Sequence, residues 1–228
     1  MRLLGRLADR WRRRIRDYAP RGFRDVESCG AFYDARARLF RADEAAVLEY
    51  SSLDVQRQLF ARAVDALPPH GRILDVGCGL GHLVDFLDER DLAYDAYHGI
   101  DVSPAMVRRA SERLAGREGI EVERRDLITA PFPPGGHDVG YLISVLGYPI
   151  GDDPIASMMT ILRGAFAACT DGVVFTHLVD GRRERPLAFP TVPDELAARC
   201  ERELGARATV FDDGVDFTYL MRLRHPEG

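Results

Sequence analysis

The segment Ile73-Leu-Asp-Val-Gly-Cys-Gly-Leu-Gly-His82 constrains this chain more than any other. An apolar run enters it, three glycines alternate through it, and a helical pattern leaves it. Glycine takes positive φ without strain and lets a ligand come close to the backbone. The first turn of the following helix offers N–H groups that have no partner within the helix. A glycine loop set between a strand and a helix predicts an α/β chain with a nucleotide-like ligand at the carboxyl ends of its strands.

The rest of the sequence repeats that alternation. Strands are expected at Arg72–Val76, Tyr97–Asp101, Gly119–Glu123, His137–Ser144 and Gly172–Leu178. Helices are expected at Leu80–Arg90, after the cap Ser103 with Pro104 to about Ala115, after Asp153–Pro154 to about Ala168, and at Pro193–Leu204. Ala208–Phe211 and Val215–Leu223 read as a closing hairpin around Asp212–Gly214. Ahead of the first strand, a helical region runs from about Phe32 to Leu67, with a break near Tyr50–Ser52, and Pro68 and Pro69 stop it. Five strands alternating with helices require a parallel sheet covered on both faces, and the hairpin gives it an antiparallel C-terminal edge.

Residue usage removes several chemistries. All 31 basic residues are arginine, with no lysine and no asparagine. That excludes a lysine Schiff base and a lysine-bearing phosphate loop. Cys29, Cys78, Cys169 and Cys200 are too far apart in sequence for a zinc knuckle, and a reducing cytoplasm is the expected compartment. No apolar run is long enough to span a bilayer. Residues 1–24 carry nine arginines against two aspartates, leaving −12 on the remainder of a chain of net charge −5. Leu4, Leu7, Ala8, Trp11, Ile15 and Tyr18 fall on one face of a helix there, and Pro20 and Gly22 end it. This basic helix reads as packed on its own domain with a solvated arginine face, or else as an RNA or membrane-surface arm.

The glycine spacing is GxGxG, with His82 where a dinucleotide loop would place its third glycine. Asp75, two residues before the first glycine, suits a cationic ligand better than a pyrophosphate. With Cys78 between the glycines, the loop resembles the first motif of the class I, seven-stranded, Rossmann-like S-adenosylmethionine-dependent methyltransferases. His98-Gly-Ile-Asp101 followed by Val102-Ser-Pro-Ala-Met, then Arg125-Asp126-Leu127, then Asp138-Val-Gly-Tyr-Leu-Ile-Ser144 match the next three in order.

The resemblance covers residues of about 50 to 224. It implies a three-layer sheet of seven strands, mostly parallel, with N-terminal helices. It implies S-adenosylmethionine held by Asp75, Gly77, Cys78, Gly79, Gly81, Asp101, Val102, Asp126, Leu127 and Ser144. Within that set Asp101 meets the ribose hydroxyls, Val102 packs on adenine, and Asp126 with the Leu127 N–H faces the adenine amino edge. The implied domains are a basic helix over 1–24, a helical lid over 25–69 and the cofactor domain over 70–228. Tyr50 and Gln56 of the lid are candidates for the methionine part.

The acceptor is read mostly by exclusion. The chain lacks the Pro-Pro-Tyr motif of base amino-methyltransferases, and none of its cysteines follows a proline. It also lacks the asparagine of catechol-type metal sites. Asp152 and Asp153 read as a helix cap, and no metal is expected. Direct transfer to a small-molecule nucleophile remains, aided by orientation and desolvation. His177 at the end of the fifth strand is the candidate general base, and Tyr148 the candidate pocket wall. His82, at a helix N-terminus where positive charge is unfavourable, is assigned no proton role. Arg182, Arg183 and Arg185 point to an anionic acceptor group or to a solvated loop. The alternatives are an RNA methyltransferase using the basic arm, which the acidic remainder opposes, and a cofactor-binding protein of this fold with non-methylating activity. The acceptor atom and the oligomeric state are left open.

Overall fold

The computed structural model describes residues 22–179, 189–211, 215 and 218–226. Residues 1–21, Arg182, Arg183 and Arg185, and the Asp212–Gly214 turn lie outside the described residues. Three helices precede the sheet: α1 (Val26–Leu39), α2 (Glu44–Val47) and α3 (Leu53–Ala66). The sequence pattern predicted a helical region beginning near Phe32 with a break near Tyr50–Ser52; that break separates α2 from α3, and side-chain caps set the helix starts. Asp25 accepts from the Ser28 N–H at 2.8 Å and starts α1 six residues early, while Asp43 and Ser52 cap α2 and α3.

The remainder alternates as β1 (Arg72–Val76), α4 (His82–Glu89), β2 (Ala96–Asp101), α5 (Pro104–Arg113), β3 (Ile120–Arg124), β4 (His137–Leu142), α6 (Pro154–Ala168), β5 (Cys169–Leu178), α7 (Pro193–Leu204), β6 (Arg207–Phe211) and β7 (Thr218–Arg224). Ser103 and Asp153 cap α5 and α6, each followed by proline at the first helical turn.

The seven strands lie in the order β3-β2-β1-β4-β5-β7-β6. Pairing is parallel from β3 through β5 and antiparallel between β5 and β7 and between β7 and β6. This is the mostly parallel, seven-stranded, Rossmann-like sheet with an antiparallel C-terminal edge.

Because strand residues alternate in direction, each strand feeds two cores. Leu74, Val76, Leu142, Val173 and Phe175 pack with Met158, Leu162 and Leu196 of α6 and α7. Ile73, Tyr97, Val139, Tyr141 and Val174 pack with Leu59, Val64, Leu83, Leu87 and Ala110 of α3, α4 and α5. Burial on both faces explains the near-continuous apolar strands. The strand order reverses beside β1, where β2 and β4 flank it. Their outgoing connections leave on opposite sides and open a crevice at the carboxyl ends.

The α3 end is tied to the sheet by one buried bond, in which the Tyr141 hydroxyl donates to the Leu67 carbonyl at 2.6 Å. Both residues are 0% exposed. Tyr141→Phe leaves that carbonyl without its donor and should cost about 1–3 kcal/mol, read as a lower urea midpoint at unchanged slope.

Candidate functional site

The crevice at the end of β1 is built by two backbone loops and one carboxylate. Gly77 and Cys78 both donate their N–H to the Ile100 carbonyl, at 2.7 and 2.9 Å, fastening the glycine loop to β2. Asp101, the last residue of β2, then accepts from the Gly79 N–H at 3.0 Å and the Ser103 N–H at 2.8 Å. Gly77 and Gly79 have φ of +70° and +56°. A Cβ at Gly79 would stand 2.7 Å from Leu48 of the α2–α3 connection, so glycine is required by space as well as by conformation.

Asp75 is 5% exposed and accepts from the Tyr97 hydroxyl at 2.6 Å. Burial pushes its carboxyl up to about 7, against the Tyr97 bond, and the charge of Asp101 pushes the same way. Burial likewise holds Asp101 up to about 6, opposed by its backbone donors. Among the described residues neither carboxylate has an arginine partner.

Asp126 lies on the connection after β3. Its oxygens accept from the Ile128 N–H at 2.8 Å and the Thr129 hydroxyl at 2.9 Å, which orients the Asp126–Leu127 turn toward the cleft. Ser144, after β4, adopts φ +61° and donates its N–H to Thr176 Oγ1 at 2.8 Å.

The helices before the sheet supply the opposite wall. Cys29 and Tyr33 are four residues apart on one face of α1. With Leu48, Tyr50, Gln56 and Phe60 they line the cleft that faces the glycine loop. Asp34 docks α1 on the start of α5, accepting from the Ser103 hydroxyl at 2.6 Å and the Ala105 N–H at 2.9 Å. Phe23 donates its N–H to the Pro149 carbonyl at 2.8 Å and joins this wall to the segment after β4.

The structure brings Asp75, Gly77, Cys78, Gly79, Asp101, Val102, Asp126, Leu127 and Ser144 together around one cleft. Gly81 stands apart from the lining. It caps α4 and packs against Leu114, where a Cβ would come within 2.8 Å of the side chain.

His177 does not reach the cleft. Its side chain points into the sheet–helix core, 1% exposed, with its ring set edge-on to Phe189 and Tyr219. Burial holds it down to about 4, so it is a neutral core imidazole. Tyr148 is outside the lining too. It donates to Glu49 Oε2 at 2.5 Å and packs on Phe23 and Phe32, behind Tyr33.

Sequence reasoning missed Cys29, Tyr33, Asp34 and Glu49. The four-residue spacing of Cys29 and Tyr33 was the available signal. Glu49 gave none, because its role comes from receiving Tyr33 and Arg36 of α1 together with Tyr148 of the segment after β4. Asp153 accepts from the Ala156 N–H as a cap. Among the described residues no group of three or more His, Cys, Asp or Glu converges as a metal site. No described helix is long and apolar enough to cross a membrane.

Comparison with known proteins agrees with this geometry. A family model described as a methyltransferase domain matches residues 73–165. Residues 73–165 are thus similar to a methyltransferase domain, and the seven-stranded sheet around them has the class I, Rossmann-like fold. Phosphoethanolamine N-methyltransferase of Plasmodium falciparum is 36% identical over 76 residues, 33% of this chain and 27% of that protein. The chain spans about a quarter to a third of the length of the curated relatives it matches.

Among solved structures, the [4+2]-cyclase SpnF superposes with a TM-score of 0.65 at 16% identity, over 91% of this chain and 99% of that one. DhpI in complex with S-adenosylhomocysteine gives 0.60 at 22% identity, over 89% and 98%.

The two raised carboxylates make a measurable signature. Between the unfolded value of 3.8 and about 7, the folded chain holds a proton on Asp75 that the unfolded chain has released. Stability from this group is therefore greatest in acid and falls as pH rises to about 7. His137 and His177, both held down to about 4 from 6.5, act in the opposite sense over much of that range. The difference between variants isolates Asp75. Asp75→Asn should match the wild type near about pH 4 and become progressively the more stable of the two toward pH 7, by urea unfolding across a pH series. A constant offset would mean that Asp75 ionises as an ordinary carboxylate.

Proposed function

We propose that this chain transfers a methyl group from S-adenosylmethionine to a small-molecule acceptor. The observation that carries this reading is the pair of buried carboxylates, Asp75 and Asp101, that flank the glycine loop without a cationic partner among the described residues. Such a pair is stabilised by a ligand that brings positive charge and hydroxyl donors. S-adenosylmethionine has an ammonium, a sulfonium and a ribose diol. Bound there, it supplies a methyl already activated by the sulfonium.

The chain's own residues then bind and orient. Asp101 holds the ribose from lone pairs left beside its two backbone bonds. Asp126 and the Leu127 N–H take the adenine edge, and Val102 packs against the ring. The mainly apolar lid wall of Leu48, Tyr50 and Phe60 excludes water from the reacting centre. Orientation and desolvation supply the rate in this reading, which uses no catalytic histidine and no metal. The acceptor enters on the side of Cys29, Tyr33 and Ile150, between α1 and the segment after β4. A small molecule is favoured because that opening is walled by aromatic and apolar groups, as metabolite pockets are. The −12 balance outside residues 1–24 disfavours a phosphate backbone. The similarity to a phosphoethanolamine enzyme supports the same class.

The test is a labelled-methyl transfer assay over metabolite extract and total RNA side by side. Label should enter the small-molecule fraction, and label confined to RNA would overturn the acceptor class. Asp101→Ala should weaken S-adenosylhomocysteine binding by about 10- to 100-fold in calorimetry, the worth of charge-assisted hydrogen bonds. Unchanged affinity in the folded variant would remove Asp101 from the cofactor site.

A further inference from the structure

His82 opens α4 directly behind the glycine loop and is buried between the lid and the sheet. Its Nδ1 stands 2.7 Å from Gln56 Oε1 on α3, and its Nε2 stands 3.0 Å from Glu44 Oε2 on α2. Gln56 is itself a lining residue of the cleft. Both atoms facing the ring are acceptors, so this arrangement requires protons on both nitrogens, an imidazolium.

A neutral ring has one N–H to give. Glu44 stays ionised, held below the usual carboxylate range by Arg113 and His82 against its own burial. It therefore claims that N–H at Nε2. Nδ1 is then a bare lone pair, and only the Gln56 NH₂ satisfies it. The amide must turn over, which moves Oε1 from the histidine to the cleft.

Resting on the cofactor reading above, we propose that His82 is a positioning residue whose proton count decides which end of the Gln56 amide faces the methionine part of the bound cofactor. Neutral His82 presents the carbonyl oxygen, an acceptor matched to the α-ammonium. The imidazolium presents NH₂, which repels it.

The surroundings favour the neutral form. Burial lowers the His82 pKa, and Arg113 of α5 adds to that, against Glu44 of α2 and Asp85 of α4. Arg109 of α5 also faces Glu44, at 3.6 Å. The carbonyl is thus the working face at neutral pH, and ligand affinity falls as acid protonates the ring. Asp75 and Asp101 line the same cleft and titrate in an overlapping range, so the measurement must separate His82 from them.

The experiment compares S-adenosylhomocysteine, which has the methionine part, with adenosine, which lacks it, by calorimetry on the full chain from about pH 5 to about pH 8. The ratio of the two affinities should rise about tenfold with pH in the wild type, one hydrogen bond to a charged group gained. His82→Phe should show a ratio that follows pH less steeply. Gln56→Met, which keeps the histidine and the side-chain volume, should do the same and carries the test if His82→Phe does not fold. Asp75 and Asp101 remain in both variants, so their share of the slope cancels in the comparison. A merely structural His82 would lower affinity equally at every pH, and the same slope in wild type and variants would overturn the proposal. Failure of S-adenosylhomocysteine to bind the wild type at any pH would instead overturn the cofactor reading.

Discussion

The Asp101 carboxylate is the piece on which the cleft depends. One oxygen holds the third residue of the glycine loop and the other holds the turn that begins α5. Each backbone segment alone has the freedom that glycine and a turn confer. Bridged by one buried charge, they become a fixed rim. Taking a carboxylate out of water is costly, and the raised pKa records that cost. Two N–H donors offset part of it, and the remaining lone pairs are what a ligand's hydroxyls would use. In the proposed reading, structural staple and ligand contact are the same side chain.

The N-terminal helices act on this rim as a separate layer. They are held by side-chain polar bonds at their ends. Asp34 docks on α5, Gln56 and Glu44 on His82, and Glu49 gathers Tyr33, Arg36 and Tyr148. Glu49 has φ +66°, uncommon for a residue with a side chain, and its carboxylate is what occupies the join between α1 and the segment after β4. The apolar contacts beneath, Val47 with Leu80 and Met106, seat the layer on the glycine loop and α5.

The legible part of the sequence was local in character. Glycine spacing, proline after Ser103 and Asp153, and period-free apolar runs each announce a structure within a few residues. They located the sheet, the glycine loop and the residues at the ends of β1 to β4. What stayed hidden needed contacts between distant segments. His177 sits at the end of a strand, where a catalytic residue is expected. Its direction depends on alternation within β5, which turns it toward Tyr219 and away from the cleft. Tyr148 was placed near the pocket without its partner, because Glu49 is 99 residues earlier. The helix boundaries before β1 were blurred because Asp25, Asp43 and Ser52 caps interrupt a pattern whose composition is helical throughout.

The cleft lining draws on segments between Val26 and Ile161 and on no described residue beyond that point. The described residues from β5 onward complete the far side of the sheet, and the Ser144–Thr176 and Phe189–Gly147 bonds join them to the rim. Mutational drift is therefore unevenly priced along the chain. The described core positions from β5 onward lie off the cleft, so conservative exchanges there shift stability alone. Under the proposed reading the described cleft lining lies ahead of β5, so diversification of ligand preference would begin in the helices ahead of the sheet.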